Sequence, residues 1–349
     1  MVIEIEKEVF KGRDFKALNF FLQLCTYKNR YIVYTEIDEE LLNSKFFKRL
    51  DYDDQSSLIE YYDNLIRNQT SISDIFLKSK YKICSTFTES KNIFTIDEAI
   101  RYFIQPLSVV LENSKNDACF MNTIFKHFAD DTKIKTHLEN NWIQFENAGG
   151  CDNIKNFLEG KKQSFNSLPK SDKSKYLRCF VLMDSDKLHP TQPLEVNKKS
   201  TLQFLVDNSI SRHILRKRSI ENYVPIEAIE TLKTNANYSP WVDAYKSLSE
   251  TQKDYFSVEN GLSDLDKNQQ FKKTKNQINL ETNNLYDNIL VEPLSNVTLM
   301  LGIKHKGYGK FKNNFPKLFE NDVVTKENLS ARIGNDELER IISKINQLL

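Results

Sequence analysis

Arg178-Cys-Phe-Val-Leu-Met-Asp184-Ser185-Asp186 is an apolar run closed by two aspartates one residue apart. Cys179, Phe180, Val181 and Leu182 in succession predict a strand buried on both faces, as in the interior of a parallel sheet. Carboxylates at the C-terminal end of such a strand stand where open α/β sheets build their sites. Alternation along an extended chain would put Asp184 and Asp186 on one side, within reach of a single hard divalent cation. The plainer reading is a strand ending in a polar turn, since Asp-Ser-Asp is also good turn chemistry. The neighbouring segments decide between the two.

Upstream, apolar runs alternate with helical patterns. Leu107 to Leu111 reads as a strand followed at once by Glu112, and Asp117 to Phe128 as an apolar-faced helix. Asp117 falls near that helix's start, where an acid complements the dipole. Trp142 to Phe145 is a second strand, Gly149-Gly150 a tight turn, Asn153 to Leu158 a helix, and Tyr176 to Met183 the third strand. The β-α-β-α-β order implies an α/β fold with a parallel sheet and right-handed crossovers. Strand C-termini of a parallel sheet open on one edge, so Glu112, Asp184 and Asp186 converge there. Converging carboxylates repel one another, and a bound Mg²⁺ or Mn²⁺ is the usual reason they are held together.

At 349 residues the chain exceeds the usual single-domain size, which divides it into an N-terminal region, 1–104, and a catalytic region, 105–349. The first reads as mixed α+β. It has a strand over Tyr31 to Thr35 and helices over Glu39 to Leu50 and Gln55 to Arg67. A capping box at Thr95 and Glu98 opens a further helix that runs to Phe103. Glu36, after the Tyr31 strand, is a competing acid, but it lies far from the glycine pair in sequence. The catalytic region has its core at 107–230, with a Pro- and Lys-containing loop over 187–200 followed by a helix near Thr201 to Asp207, and a polar insertion at about 249–284. Its helical C-terminal additions end in an amphipathic stripe of Leu338, Ile341, Ile342, Ile345 and Leu348, read as core packing. The 49 basic and 48 acidic residues nearly cancel, so a nucleic-acid surface would have to be a local basic patch. Five cysteines without CxxC spacing argue against a zinc site or disulfide framework. The acidic N-terminus is unlike a signal peptide and no apolar run reaches transmembrane length, so the expectation is a soluble cytoplasmic protein without membrane contact.

The stretches Val109-Val-Leu-Glu112-Asn-Ser-Lys-Asn-Asp117, Asn147-Ala-Gly149-Gly150 and Phe180-Val-Leu-Met-Asp184-Ser-Asp186 together resemble the Toprim domain. Topoisomerases, bacterial primases, small RNA-maturation nucleases and overcoming-lysogenisation-defect nucleases share that metal-binding fold. The family's glutamate is usually followed by glycine, and here Asn113 follows. The resemblance implies Glu112, Asp184 and Asp186 as catalytic metal ligands with Asp117 in support. Downstream, Arg216-Lys217-Arg218-Ser-Ile-Glu221-Asn-Tyr is similar to the segment where such nucleases carry a glutamate for a second metal, which would be Glu221. The three cations beside it would grip a phosphate backbone. A late lysine near the metals would be Lys306 or Lys310, with Lys310 the catalytic candidate and Lys306 a nucleic-acid contact.

The resulting expectation is a nuclease that hydrolyses phosphodiester bonds of DNA or RNA with Mg²⁺ or Mn²⁺, two ions about 3.5–4 Å apart. Its implied setting is a bacterial antiphage system. The sequence has no P-loop, so a separate ATPase sensor would be the partner, and a homo-oligomer stays open. One alternative is a haloacid-dehalogenase-type phosphatase, which wants Thr or Val two residues after the second Asp, where this chain has Leu188. The other is a Toprim-like binding or regulatory subunit that has lost catalysis.

Overall fold

The computed structural model describes residues 1–12, 14–67, 81–129, 132–168, 172–258, 285–286, 301 and 315–349. Leu107–Leu111 (β5) and Cys179–Met183 (β7) are buried at every position, as their largely apolar composition favours. They pair in parallel, Val109 beside Phe180, and form the centre of a four-stranded sheet of order β6-β5-β7-β8. The edges are Ile143–Asn147 (β6) and Ser211–Ile214 (β8), both parallel to their neighbours and both partly exposed. Sequence reasoning missed β8, because Ser211-Arg-His-Ile214 has the mixed polarity of an edge strand rather than an apolar run.

Period-two alternation divides the central strands between two cores. Leu107, Val109, Leu111, Phe180 and Leu182 join a cluster with the Ser114–Phe128 helix and the C-terminal helices. Val110, Cys179, Val181 and Met183 face Ile154 and Leu158 of the Cys151–Gln163 helix and Leu205 of the Val196–Asp207 helix. Helices therefore cover both faces of the sheet, each fully buried aliphatic side chain contributing about 1.5–3 kcal/mol. The stripe from Leu338 to Leu348 packs into the first of these clusters, as expected, on the helix Glu337–Asn346 and the turn after it. The Val196–Asp207 helix begins inside what read as a loop, five residues before Thr201, and this shift proves important at the site.

The first hundred residues are more regular than a mixed α+β region. Val2–Ile5 (β1), Ile32–Tyr34 (β2), Tyr81–Ile83 (β3) and Ile93–Phe94 (β4) form another all-parallel sheet, the first in chain order, with strand order β2-β1-β3-β4. The segment expected to be one helix from Glu39 to Leu50 is interrupted: Glu39–Asn43 is helical, Ser44 is extended, and Phe47–Arg49 is a single tighter turn. The capping box at Thr95 and Glu98 opens the Ile96–Phe103 helix as read.

The two sheets are joined through the segment that feeds β7. Arg30 Nη2 and Arg178 Nη1 both donate to the Gln105 carbonyl, at 3.1 and 2.7 Å. Lys175 Nζ donates to Glu98 Oε1 at 3.1 Å, and Tyr176 Oη to the same oxygen at 2.5 Å. Leu168 and Tyr176 complete the hydrophobic cluster of the first sheet. No helix among the described residues is long and apolar enough to cross a membrane.

Candidate functional site

In the order β6-β5-β7-β8, the first crossover leaves β5 toward one side and the last leaves β7 toward the other. The topological switch point thus lies between β5 and β7, where α/β sheets open a crevice at the strand C-termini. Glu112 and Asp184 are the first residues after those two strands. The Asp184 N–H donates to Glu112 Oε1 at 3.0 Å, so the carboxylate of one strand end caps the backbone of the other. The turn after β6 closes in as well, with the Gly150 N–H donating to the Glu112 carbonyl at 2.8 Å. Gly149 and Gly150 hold φ of 77° and 108°, conformations that a side chain would strain.

Asp-Ser-Asp is both a turn and part of the acid cluster. The strand stops at Met183, and Asp186 sits at φ 52°, the left-handed region that Asp tolerates better than most residues. The Asp186 N–H donates to the Arg218 carbonyl at 2.9 Å, and Ser185 Oγ to the Lys217 carbonyl at 2.6 Å. Strand alternation, the expected reason for the two aspartates to share a side, therefore does not operate, because the chain has already left the extended conformation. The turn and its stitching to residues 217–218 set their positions instead.

Lys198 lies in the middle of this arrangement. Its Nζ is 3.1 Å from Glu112 Oε1, 2.7 Å from Asp186 Oδ2 and 2.7 Å from the Asp184 carbonyl oxygen. The lysine side chain is 4% exposed. Burial works against its charge, but Glu112 and Asp186 outweigh burial and hold its pKa above the ordinary value. Lys198 went unnoticed in the sequence because residues 187–200 read as a loop. A usable signal was present: with the helix starting at Val196, Lys198 and Lys199 both fall in the first turn, where cations oppose the dipole. A lysine in that position is locally unfavourable unless acids face it.

On the other side of Asp184 lie Asp117 and Glu221. Asp117 accepts from the Asn113 N–H at 2.9 Å, and burial, reinforced by Glu112 and Glu221, lifts its pKa to about 7. Asp184 Oδ1 accepts from the Ile220 N–H at 3.2 Å. Its carboxyl is pushed well above the ordinary range, first by burial and then by Glu112, Glu221, Asp117 and Asp186. Burial also raises Glu112, against the opposing pull of Lys198. Glu221 is carried by the Ile220–Tyr223 turn, anchored by the buried Asn222, whose Nδ2 donates to the carbonyls of Lys253 and Phe256 at 2.7 and 2.9 Å. All five acids read from the sequence thus share one electrostatic neighbourhood.

The cations read from the sequence fare differently. Arg216 is exposed, and Arg218 is partly buried and supplies the carbonyl that holds Asp186. Lys217 must be corrected: it is 4% exposed, and its ammonium donates to Asp254 Oδ1 and to the Arg332 carbonyl. Burial, with Arg332 beside it, lowers its pKa to about 8. A charge held inside the fold in this way cannot grip a nucleic-acid backbone. Lys306 and Lys310 lie outside the described residues, as do residues 259–284 of the polar insertion, whereas its beginning forms the helix Glu250–Tyr255 with Phe256 and Val258 in the core.

In kind, the donors suit a hard divalent cation, being carboxylate and carbonyl oxygens with excess negative charge around Asp184. In spacing they stop short: among the described residues no three His, Cys, Asp or Glu side chains stand close enough to hold an ion. Next to Glu112 and Asp186 stands the Lys198 ammonium. Glu112, Asp117, Asp184 and Glu221 are the carboxylates that would have to draw closer together to hold a metal on the remaining side. No protein-family model, curated protein or solved structure matches the chain.

Proposed function

We propose that this chain is a divalent-metal-dependent nuclease, hydrolysing phosphodiester bonds of DNA or RNA at the β5/β7 switch point. The observation that carries this reading is the enclosed Asp184 carboxyl with Glu112, Asp117, Asp186 and Glu221 around it. A cluster of crowded, half-buried acids is unfavourable in a protein built for stability alone, since it either takes up protons or requires a cation. Mg²⁺ or Mn²⁺, when bound, supplies Lewis acidity toward a phosphoryl oxygen and makes water a better nucleophile at neutral pH.

The chain's own residues have separable tasks in this reading. Glu112, Asp117, Asp184 and Glu221 bind the metal. The Ile220 N–H fixes one Asp184 oxygen. Asp186 and Lys198 set the position of Glu112, and the exposed Arg216 offers a contact for phosphate at the rim. The order of strand and Glu112, strand and Gly149-Gly150, then strand and Asp184-Ser-Asp186 supports a Toprim-like nuclease. With that resemblance come the bacterial antiphage role and an ATPase sensor as a separate partner.

The test is cleavage of plasmid, single-stranded DNA and RNA in Mg²⁺ or Mn²⁺ and again in EDTA. The expected result is metal-dependent cleavage that falls at least about a hundredfold in a Glu112→Gln/Asp184→Asn double variant. Undiminished cleavage by the double variant would remove the site.

A further inference from the structure

Three oxygens converge on one buried ammonium at the switch point: Glu112 Oε1, Asp186 Oδ2 and the Asp184 carbonyl, at 3.1, 2.7 and 2.7 Å from Lys198 Nζ. An ordinary ion pair matches one lysine with one acid. Here the oxygens match the three N–H donors of the ammonium, and one of them is a main-chain carbonyl, a donor typical of hard-cation sites. Two carboxylates and a carbonyl are also sufficient anchors for a hydrated divalent ion, which keeps several of its waters. The lysine reaches this point from the first turn of the Val196–Asp207 helix, where its charge is locally disfavoured. Position and surroundings both indicate that the charge is needed where it ends, not where it starts.

We propose that Lys198 fills a divalent-cation subsite, so that removing its ammonium admits one more metal ion per chain. The inference rests on the metal-dependent reading above and refines it: the wild-type centre works with a tethered monovalent cation beside its metal. Lys198 is then a positioning residue, acting through Glu112 and Asp186.

The experiment is equilibrium dialysis of the full chain against Mn²⁺, with bound metal counted by mass spectrometry. Lys198→Ala is expected to bind one more ion than wild type, and Lys198→Arg, which keeps the charge, the same number as wild type. An unchanged count in Lys198→Ala, or an extra ion in Lys198→Arg, overturns the proposal. A wild type that binds no ion, beside a Lys198→Ala variant that binds one, would remove the nuclease reading while upholding the subsite. A wild type and Lys198→Ala that both bind one would do the reverse. Should Lys198→Ala fail to fold without metal, Lys198→Met keeps the stem and reports through melting temperature. Mn²⁺ should then raise its melting point several degrees more than that of wild type, and an equal or smaller rise counts against the proposal.

Discussion

The two sheets of this chain have the same strand order, β2-β1-β3-β4 and β6-β5-β7-β8, and each has its switch point between its two central strands. Both carry acids at their strand ends, but the acids meet different surroundings. In the first sheet, Glu6 follows β1 and pairs with Lys82 at 2.9 Å. Beyond β2, Glu36 and Asp38 share Lys7, at 3.1 and 2.7 Å. The buried acid of that region, Glu98, accepts from Lys175, from Tyr176 and from the Thr95 N–H. In the second sheet, the Asp184 carboxylate accepts from the Ile220 N–H, and four other acids raise its pKa. The difference shows that neither a strand-end acid nor a buried acid is a site by itself. What distinguishes the second sheet is burial combined with too little positive charge.

The largest effect that bears on this contrast concerns Glu98. Lys175→Met leaves Glu98 buried without its cation, which should cost about 3–5 kcal/mol of folding free energy in urea titrations. Asp184→Asn should behave oppositely in EDTA, lowering stability little or raising it, because it removes a charge that its neighbours repel. A loss below about 1 kcal/mol for Lys175→Met, or a large loss for Asp184→Asn, would erase the distinction between a balanced and an unbalanced buried acid.

Much of the second sheet was legible in the sequence, because β5 and β7 are largely apolar runs, each followed at once by an acid. Of the first sheet only β2 was, since β1 is four residues long and β4 two, too short for any periodicity to register. The five acids named from the sequence stand together: Glu112, Asp184 and Asp186 because residues after the strands of a parallel sheet share one edge, and Asp117 and Glu221 on a helix start and a turn beside that edge. Lys198 was missed for the converse reason, as its role depends on a helix start that no proline or side-chain cap marks. Lys217 was misread because a basic run looks the same in sequence whether its members face solvent or, like this one, Asp254.

A second effect, of intermediate size, follows from Asp117. Its pKa rises from 3.8 to about 7 in the folded protein. A group raised on folding contributes stability that is complete below its unfolded pKa and is lost as pH climbs through the folded one. In EDTA the melting temperature should therefore fall between pH 4 and pH 8, and Asp117→Asn should flatten that slope. Mg²⁺ should restore most of the loss at pH 8, because it takes over the neutralising role of the proton. A slope that Asp117→Asn leaves unchanged would mean that this carboxyl is ionised throughout, and the charge imbalance of the second sheet would be smaller than its burial indicates.

The smallest effect falls on the first sheet's exposed acids. Glu36 follows β2 much as Glu112 follows β5, and it competed with Glu112 as a site acid in the sequence. Its side chain is 63% exposed, and its ion pair with Lys7 is shared with Asp38. Solvent and salt screen such a pair, so Glu36→Gln should change folding free energy by less than about 1 kcal/mol. It should leave metal-dependent cleavage within about twofold of wild type, where Asp184→Asn loses it. If Glu36→Gln also abolished cleavage, the two switch points would be functionally linked, and charge balance would no longer tell the site from the scaffold.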